Sequence, residues 1–200
     1  MIEELKEELH IYNLLRQLFL KEPSKEIILA LSEIPSDEGG ENDPGFKLMV
    51  SAVKKNKDRL DAWLEELAIE YARLFIGPQN PPAVPYSSFY LSESHSLMSD
   101  ETIDVRRRYL EAGMAVKELY SIPDDHAGIE FEFVYYLTQR IVELFEKGER
   151  EASTRLYETR SDFIEGHMSE WIPLFTNKIY GSTTEDFYKG LSMLSSSFLQ

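Results

Sequence analysis

Four polar residues follow one proline: Asp124, Asp125 and His126 stand directly after Pro123, and Glu130 lies four places beyond the histidine. Carboxylates beside an imidazole can do several kinds of work. They can cap the free amides at the start of a helix, where the helix dipole favours negative charge. They can move protons or, on one helical face, hold a divalent metal. They can also accept the forked, charge-assisted hydrogen bonds of a guanidinium group. One acid is enough for a cap, which leaves the second aspartate and His126 available for something else.

The chemistry of enzymes finds little support around them. His126 and Glu130 have the i, i+4 spacing that sets two ligands on one helix face, but two ligands do not complete a metal site. The other histidines, His10, His95 and His167, are scattered, and the chain has no cysteine, which removes disulfides, thiolate nucleophiles and thiolate ligands together. Neither a zinc-binding HExxH nor the phosphate-cradling GxxxxGK and GxGxxG patterns occur. Ser87 and Ser88 lack the GxSxG elbow of a nucleophilic serine. We expect no catalytic residue, no metal and no cofactor. An enzyme, or a nucleotide- or metal-responsive helical adaptor, built on Asp125, His126 and Glu130 is the competing reading.

The elements that must position these residues are helical throughout. Ile2, Leu5, Leu9, Tyr12, Leu15 and Phe19 recur at threes and fours, which predicts a first helix over 3–21. Ser24 caps a second, KEIILALSEI, that Pro35 ends, and the polar stretch 36–44 is a loop. Third and fourth helices are expected over 45–56 and 58–76, the latter closed by Gly77 and Pro78. A fifth runs from Ser99 to 120, and a sixth opens at Pro123 and Asp124 and ends at Gly148. A seventh covers 149–168, Pro173 opens a short eighth near 181, and Thr183 or Thr184 caps a ninth. No convincing period-two alternation interrupts them, so the expected fold is all-α, one globular helical domain over 1–200 with about nine helices.

YARLFIGPQNPPAVPYSS, residues 71–88, begins on the fourth helix and continues as a proline-rich loop towards the fifth. Four prolines behind Leu74 and Phe75 keep the chain extended, so residues 77–98 are expected to form a hinge loop joining two halves of the domain, with Tyr86 at its surface. A long hinge between helical halves also allows a domain-swapped dimer beside the monomer.

Composition narrows the partners. Twenty-one basic residues against thirty-six acidic ones give a net charge of −15, a surface that repels nucleic acid and anionic lipid and favours cationic partners. The N-terminus, MIEELKEELHIYNLLRQLF, carries acids where a secretory signal carries bases, and no apolar run has a membrane-spanning length, so a cytoplasmic protein without direct membrane insertion is expected.

Taken in order, EYARLFIGP (70–78), PYSS (85–88), DDHAGIEFEFV (124–134) and FIEGHMSEWIPLF (163–175) resemble the TorD/DmsD family of redox-enzyme maturation chaperones, related to the NarJ-type chaperones of nitrate reductase. The likeness spans roughly 60–175; after DDH the acid of the family pattern is kept at Glu130, while the apolar side chains around it differ. The resemblance implies a cytoplasmic, non-enzymatic chaperone. Its partners would be the twin-arginine signal peptide and the apo-subunit of a molybdopterin-containing oxidoreductase, held back from export until the cofactor is inserted. A receptor for such a signal needs carboxylates beside an apolar groove. Asp124, Asp125 and Glu130 are expected to meet the arginines, with His126 orienting a carboxylate or contacting the peptide backbone. Leu74, Phe75, Pro85 and Tyr86 are expected to line the apolar part, with Ser87 beside them.

Overall fold

The computed structural model describes residues 2–35, 43–78, 80–93, 95, 97–98, 100–114 and 122–199. They form ten α-helical segments and no β-strand, in agreement with the all-α expectation. The chain divides into two compact units, Met1–Leu20 with Tyr86–Trp171, and Lys21–Pro85 with Ile172–Gln200, so one crossing between units falls inside the proline-rich segment at Pro85 and Tyr86.

In the first unit, Ile2–Leu20 (α1) buries Leu5, Tyr12, Leu15, Leu18 and Phe19 along one stripe. The stripe packs on Ala127–Glu146 (α7), where the Phe131 ring lies 5.6 Å from Phe19 and 6.5 Å from Tyr12. The two helices approach so closely that a Cβ on Gly128 would sit 2.6 Å from Leu20 Cγ. Arg150–Phe163 (α8) covers another side of α7, and Phe163 packs edge-on to Phe133 at 4.9 Å, with Tyr109 against both rings. Tyr109 comes from Asp100–Glu111 (α6), which is preceded by the short helix Ser87–Leu91 (α5).

In the second unit, Ser24 and Asp43 accept amide hydrogen bonds at the starts of Lys25–Ser32 (α2) and Pro44–Lys55 (α3). Leu60–Tyr71 (α4) widens into a π turn, Ala72–Ile76, that Gly77 ends at φ +52. Ala83 N then donates to Leu74 O at 3.1 Å, tying the proline-rich segment back to that turn. Asp186–Ser197 (α10) crosses α3 where Gly190 meets Gly45. A Cβ on either glycine would come within 2.8 Å of the other helix's backbone, so the crossing depends on both.

Several boundaries differ from those the sequence suggests. The fifth helix stops at Glu111, where Gly113 adopts φ +79, rather than running to 120; residues 115–120, its expected cap Ser99 and positions 36–42 of the polar loop lie outside the described residues. Helix α5 occupies part of the expected hinge loop, because the prolines end at Pro85 and leave Ser87–Leu91 free to donate amides. Pro173 does not open a helix. A second π turn, Ile164–Met168, leads into Ser169–Ser182 (α9), which begins four residues earlier and carries Pro173 inside it. Pro173 has no N–H to donate to Ser169 O, so the helical ladder is broken there, one turn after the π turn.

Candidate functional site

The beginning of α7 is organised differently from a simple acid cap. His126 is the N-cap, and its Nδ1 accepts a hydrogen bond from Gly128 N at 3.0 Å, so the neutral ring carries its proton on Nε2. The expectation that Asp124 caps this helix is thereby corrected: both aspartates lie in the turn ahead of it, which His126 N closes onto Pro123 O at 3.1 Å.

Freed from capping, each aspartate binds another element. Asp124 Oδ2 accepts from Arg106 Nε on α6, and its carbonyl accepts from Tyr109 Oη at 2.9 Å. Asp125 holds the start of α5: its carbonyl accepts from Ser87 N at 2.9 Å and its Oδ2 from Ser88 N at 3.0 Å. Tyr86 forms an isolated antiparallel bridge with His126, and the two rings meet edge-on at 5.2 Å. The structure thus brings Tyr86, Ser87, Asp124, Asp125 and His126 together through backbone and ring contacts.

Glu130 is fully buried and its two oxygens are already engaged. His167 Nε2 donates to Oε1 at 2.8 Å and Trp171 Nε1 to Oε2 at 2.9 Å. The i, i+4 pairing of His126 with Glu130 does not form, because His126 sits outside the helix and its ring turns back to Gly128. Among the described residues no group of three or more His, Asp or Glu side chains is arranged to hold a metal ion.

Leu74, Phe75 and Pro85 belong to the second unit. The first two are core residues there rather than surface ones: Leu74 is inaccessible, and the Phe75 ring packs 5.0 Å from Tyr71, 5.9 Å from Phe175 and 6.1 Å from Tyr188. Pro85 is buried as well, whereas Tyr86 is half-buried. Sequence reading passed over Arg106. Its only signal was the run Arg106-Arg107-Arg108, which on a helix ordinarily marks a solvated face.

The titrations of the two histidines oppose each other. Burial alone pushes the His126 pKa down to about 4. At His167 burial also works against the charge, but the attraction and hydrogen bond of Glu130 outweigh it and raise the pKa, with Arg108 opposing and Asp104 assisting. Burial, then the nearby carboxylates, raises the Tyr109 hydroxyl well above its ordinary value, so it stays a donor to Asp124.

A pH dependence of stability follows. Between pH 6.5 and 4 the unfolded chain binds a proton at position 126 that the folded chain refuses, so stability falls as acid is added, by up to about 1.4 kcal/mol per pH unit. His126→Asn keeps a capping acceptor and cannot titrate. Urea unfolding at pH 7 and pH 5 is expected to show the wild type losing more stability than this variant, and equal losses would contradict the assignment.

The family model described as "Nitrate reductase delta subunit" matches residues 41–177, which include Tyr86, Ser87, Asp124–His126, Glu130, His167 and Trp171. The chain is 29% identical over 162 residues to the chaperone protein TorD of Vibrio parahaemolyticus, covering 80% of this chain and 74% of that one. It is 28% identical to the chaperone protein TorD of Vibrio cholerae serotype O1 (strain M66-2), over 100% of this chain and 94% of the relative. A similar likeness, 31% over 138 residues, joins it to the chaperone protein TorD of Salmonella arizonae, covering 69% and 59% of the two chains.

Proposed function

From the premise that this chain belongs to the nitrate reductase delta subunit family of NarJ/TorD-type chaperones, we propose that it binds the twin-arginine signal peptide of a molybdopterin-containing oxidoreductase. Its relatives are named chaperones, and the chain is a redox-enzyme maturation chaperone rather than an enzyme. By holding the signal of the apo-subunit in the cytoplasm it delays export while the cofactor is inserted.

The observation that carries this reading is the corner around Asp125. Three buried polar atoms there, Asp125 Oδ1, Ser87 Oγ and Ser88 Oγ, have no hydrogen-bond partner among the described residues. Buried polar groups are nearly always satisfied, and each one left open carries a cost of about 1–3 kcal/mol. A guanidinium group presents five donors in a rigid fork and is the donor best matched to a carboxylate oxygen left open in this way. An ammonium could supply the charge but not the planar fork. The adjoining Tyr86 offers a half-buried aromatic edge to the apolar residues that follow the arginines, and the net charge of −15 steers a cationic peptide towards the protein. Glu130, whose oxygens serve His167 and Trp171, supports the site from within.

Calorimetric titration with a synthetic twin-arginine signal peptide, and with the same peptide carrying alanines at both arginine positions, tests the reading. Binding that requires the arginines is expected. Equal binding of both peptides, or of neither, would move the client contact away from the acid corner.

A further inference from the structure

Asp124 is 2% exposed, and the group that stands over it is the side chain of Arg106, 35% exposed, whose Nε donates to Asp124 Oδ2. The protein therefore contains its own example of the interaction expected from a client: a carboxylate of the acid turn holding a guanidinium. Beside this pair opens a cavity of about 160 Å³, lined by Met98, Thr102, Ile103, Arg106, Ile122 and Pro123. A dry cavity of roughly 150 Å³ accommodates a benzene ring, so this one has room for a single ring or branched aliphatic side chain. Met98 and Ile103 are 67% and 66% exposed, and Thr102 Oγ1 is buried without a partner among the described residues.

The geometry points to an exchange of guanidinium groups: Arg106 is the resting occupant of Asp124, and a client peptide binds by replacing it, its arginine taking the carboxylate and its adjacent bulky apolar residue entering the cavity. This rests on the reading of the acid turn as an arginine acceptor and adds to it the residue that sets its affinity. Three features support the occupant. Asp124 already accepts a guanidinium in this position. The cavity walls are apolar apart from Thr102 and Arg106, and Pro123 places the cavity next to Asp124 in the chain. Thr102 Oγ1 is a buried hydroxyl that can donate to a carbonyl of an extended peptide. Asp124 cannot serve both guanidinium groups fully, so the client competes with Arg106, and its apparent affinity is lowered by the fraction of molecules in which Arg106 is in place.

The exchange makes an unusual demand: removing a positive charge from the protein by a neutral substitution, and so breaking a native ion pair, should strengthen binding. Arg106→Ala and Arg106→Gln are each titrated calorimetrically with the twin-arginine peptide and its alanine counterpart, the glutamine variant keeping a polar partner for Asp124 if the alanine variant folds poorly. The arginine peptide is expected to bind the variants about fivefold or more tightly than it binds wild type, the fold-change of releasing one modest ion pair. The gain should vanish when Asp124→Asn is added. Unchanged or weaker binding to the Arg106 variants, with wild type still requiring the arginines, overturns the exchange and leaves the acid-corner reading standing. If neither wild type nor variants distinguish the two peptides, both fall.

Discussion

Replacing Glu130 by alanine is expected to lower the stability of the protein by about 3–5 kcal/mol, the range found when one partner of a buried charged pair is removed. The side chain has no exposure and ties α7 to two residues of the π turn and α9, His167 at 2.8 Å and Trp171 at 2.9 Å. Its loss removes the acceptor that the Trp171 Nε1–H and the His167 ring share at a buried position. Glu130→Gln retains an amide oxygen for one donor and should cost less than alanine. Urea unfolding measures the difference, and a loss below about 1 kcal/mol, the size of an ordinary exposed contact, would contradict it. A second readout separates the ion pair from packing. Because Glu130 is what raises the His167 pKa against its burial, that pKa, followed by NMR, should fall in Glu130→Gln. The linked contribution to stability is present below the unfolded pKa near 6.5 and is lost as pH rises through the raised folded value.

Asp125→Asn is expected to weaken binding of the twin-arginine peptide at least about tenfold, since loss of a desolvated carboxylate partner costs roughly 2–5 kcal/mol. Asparagine is the informative substitution. Asp125 Oδ2 accepts from Ser88 N, so alanine would release the start of α5 as well as remove the charge, whereas an asparagine Oδ1 can still accept that bond. A variant that keeps its melting temperature and loses the peptide separates recognition from folding. Lower stability with undiminished binding would make Asp125 only a structural anchor of α5.

The helical architecture was legible because it rests on local signals. The three-and-four spacing from Leu5 to Phe19, Ser24 ahead of α2, and Gly77 after Phe75 each report an amphipathic face, a cap or a stop on their own. Boundaries failed where a local signal has two meanings. Pro173 reads equally well as the first residue of a helix and as an interior residue in its opening turns, and only the π turn before it decides. Gly113 was passed over because Tyr109 and Leu110 continue the pattern up to it.

The acid turn shows a deeper limit. Asp124, Asp125, His126 and Glu130 were identifiable as a group, but their division of labour depends on partners distant in sequence: Arg106 and Tyr109 for Asp124, Ser87 and Ser88 for Asp125, His167 and Trp171 for Glu130. Spacing alone made His126 and Glu130 neighbours, and moving the helix start by a few residues undid that. Phe75, expected to line the apolar part of a groove, is instead enclosed by Phe175 and Tyr188, about a hundred residues away in sequence.

The most direct test of guanidinium recognition by the acid turn is a double-mutant cycle measured by calorimetry, crossing wild type and Asp125→Asn with the twin-arginine peptide and its alanine counterpart. Direct contact predicts strong coupling: the asparagine substitution weakens the arginine peptide and barely affects the alanine peptide, a difference of about 1.5 kcal/mol or more. Additive effects, with both peptides weakened equally, would contradict contact between Asp125 and an arginine of the client.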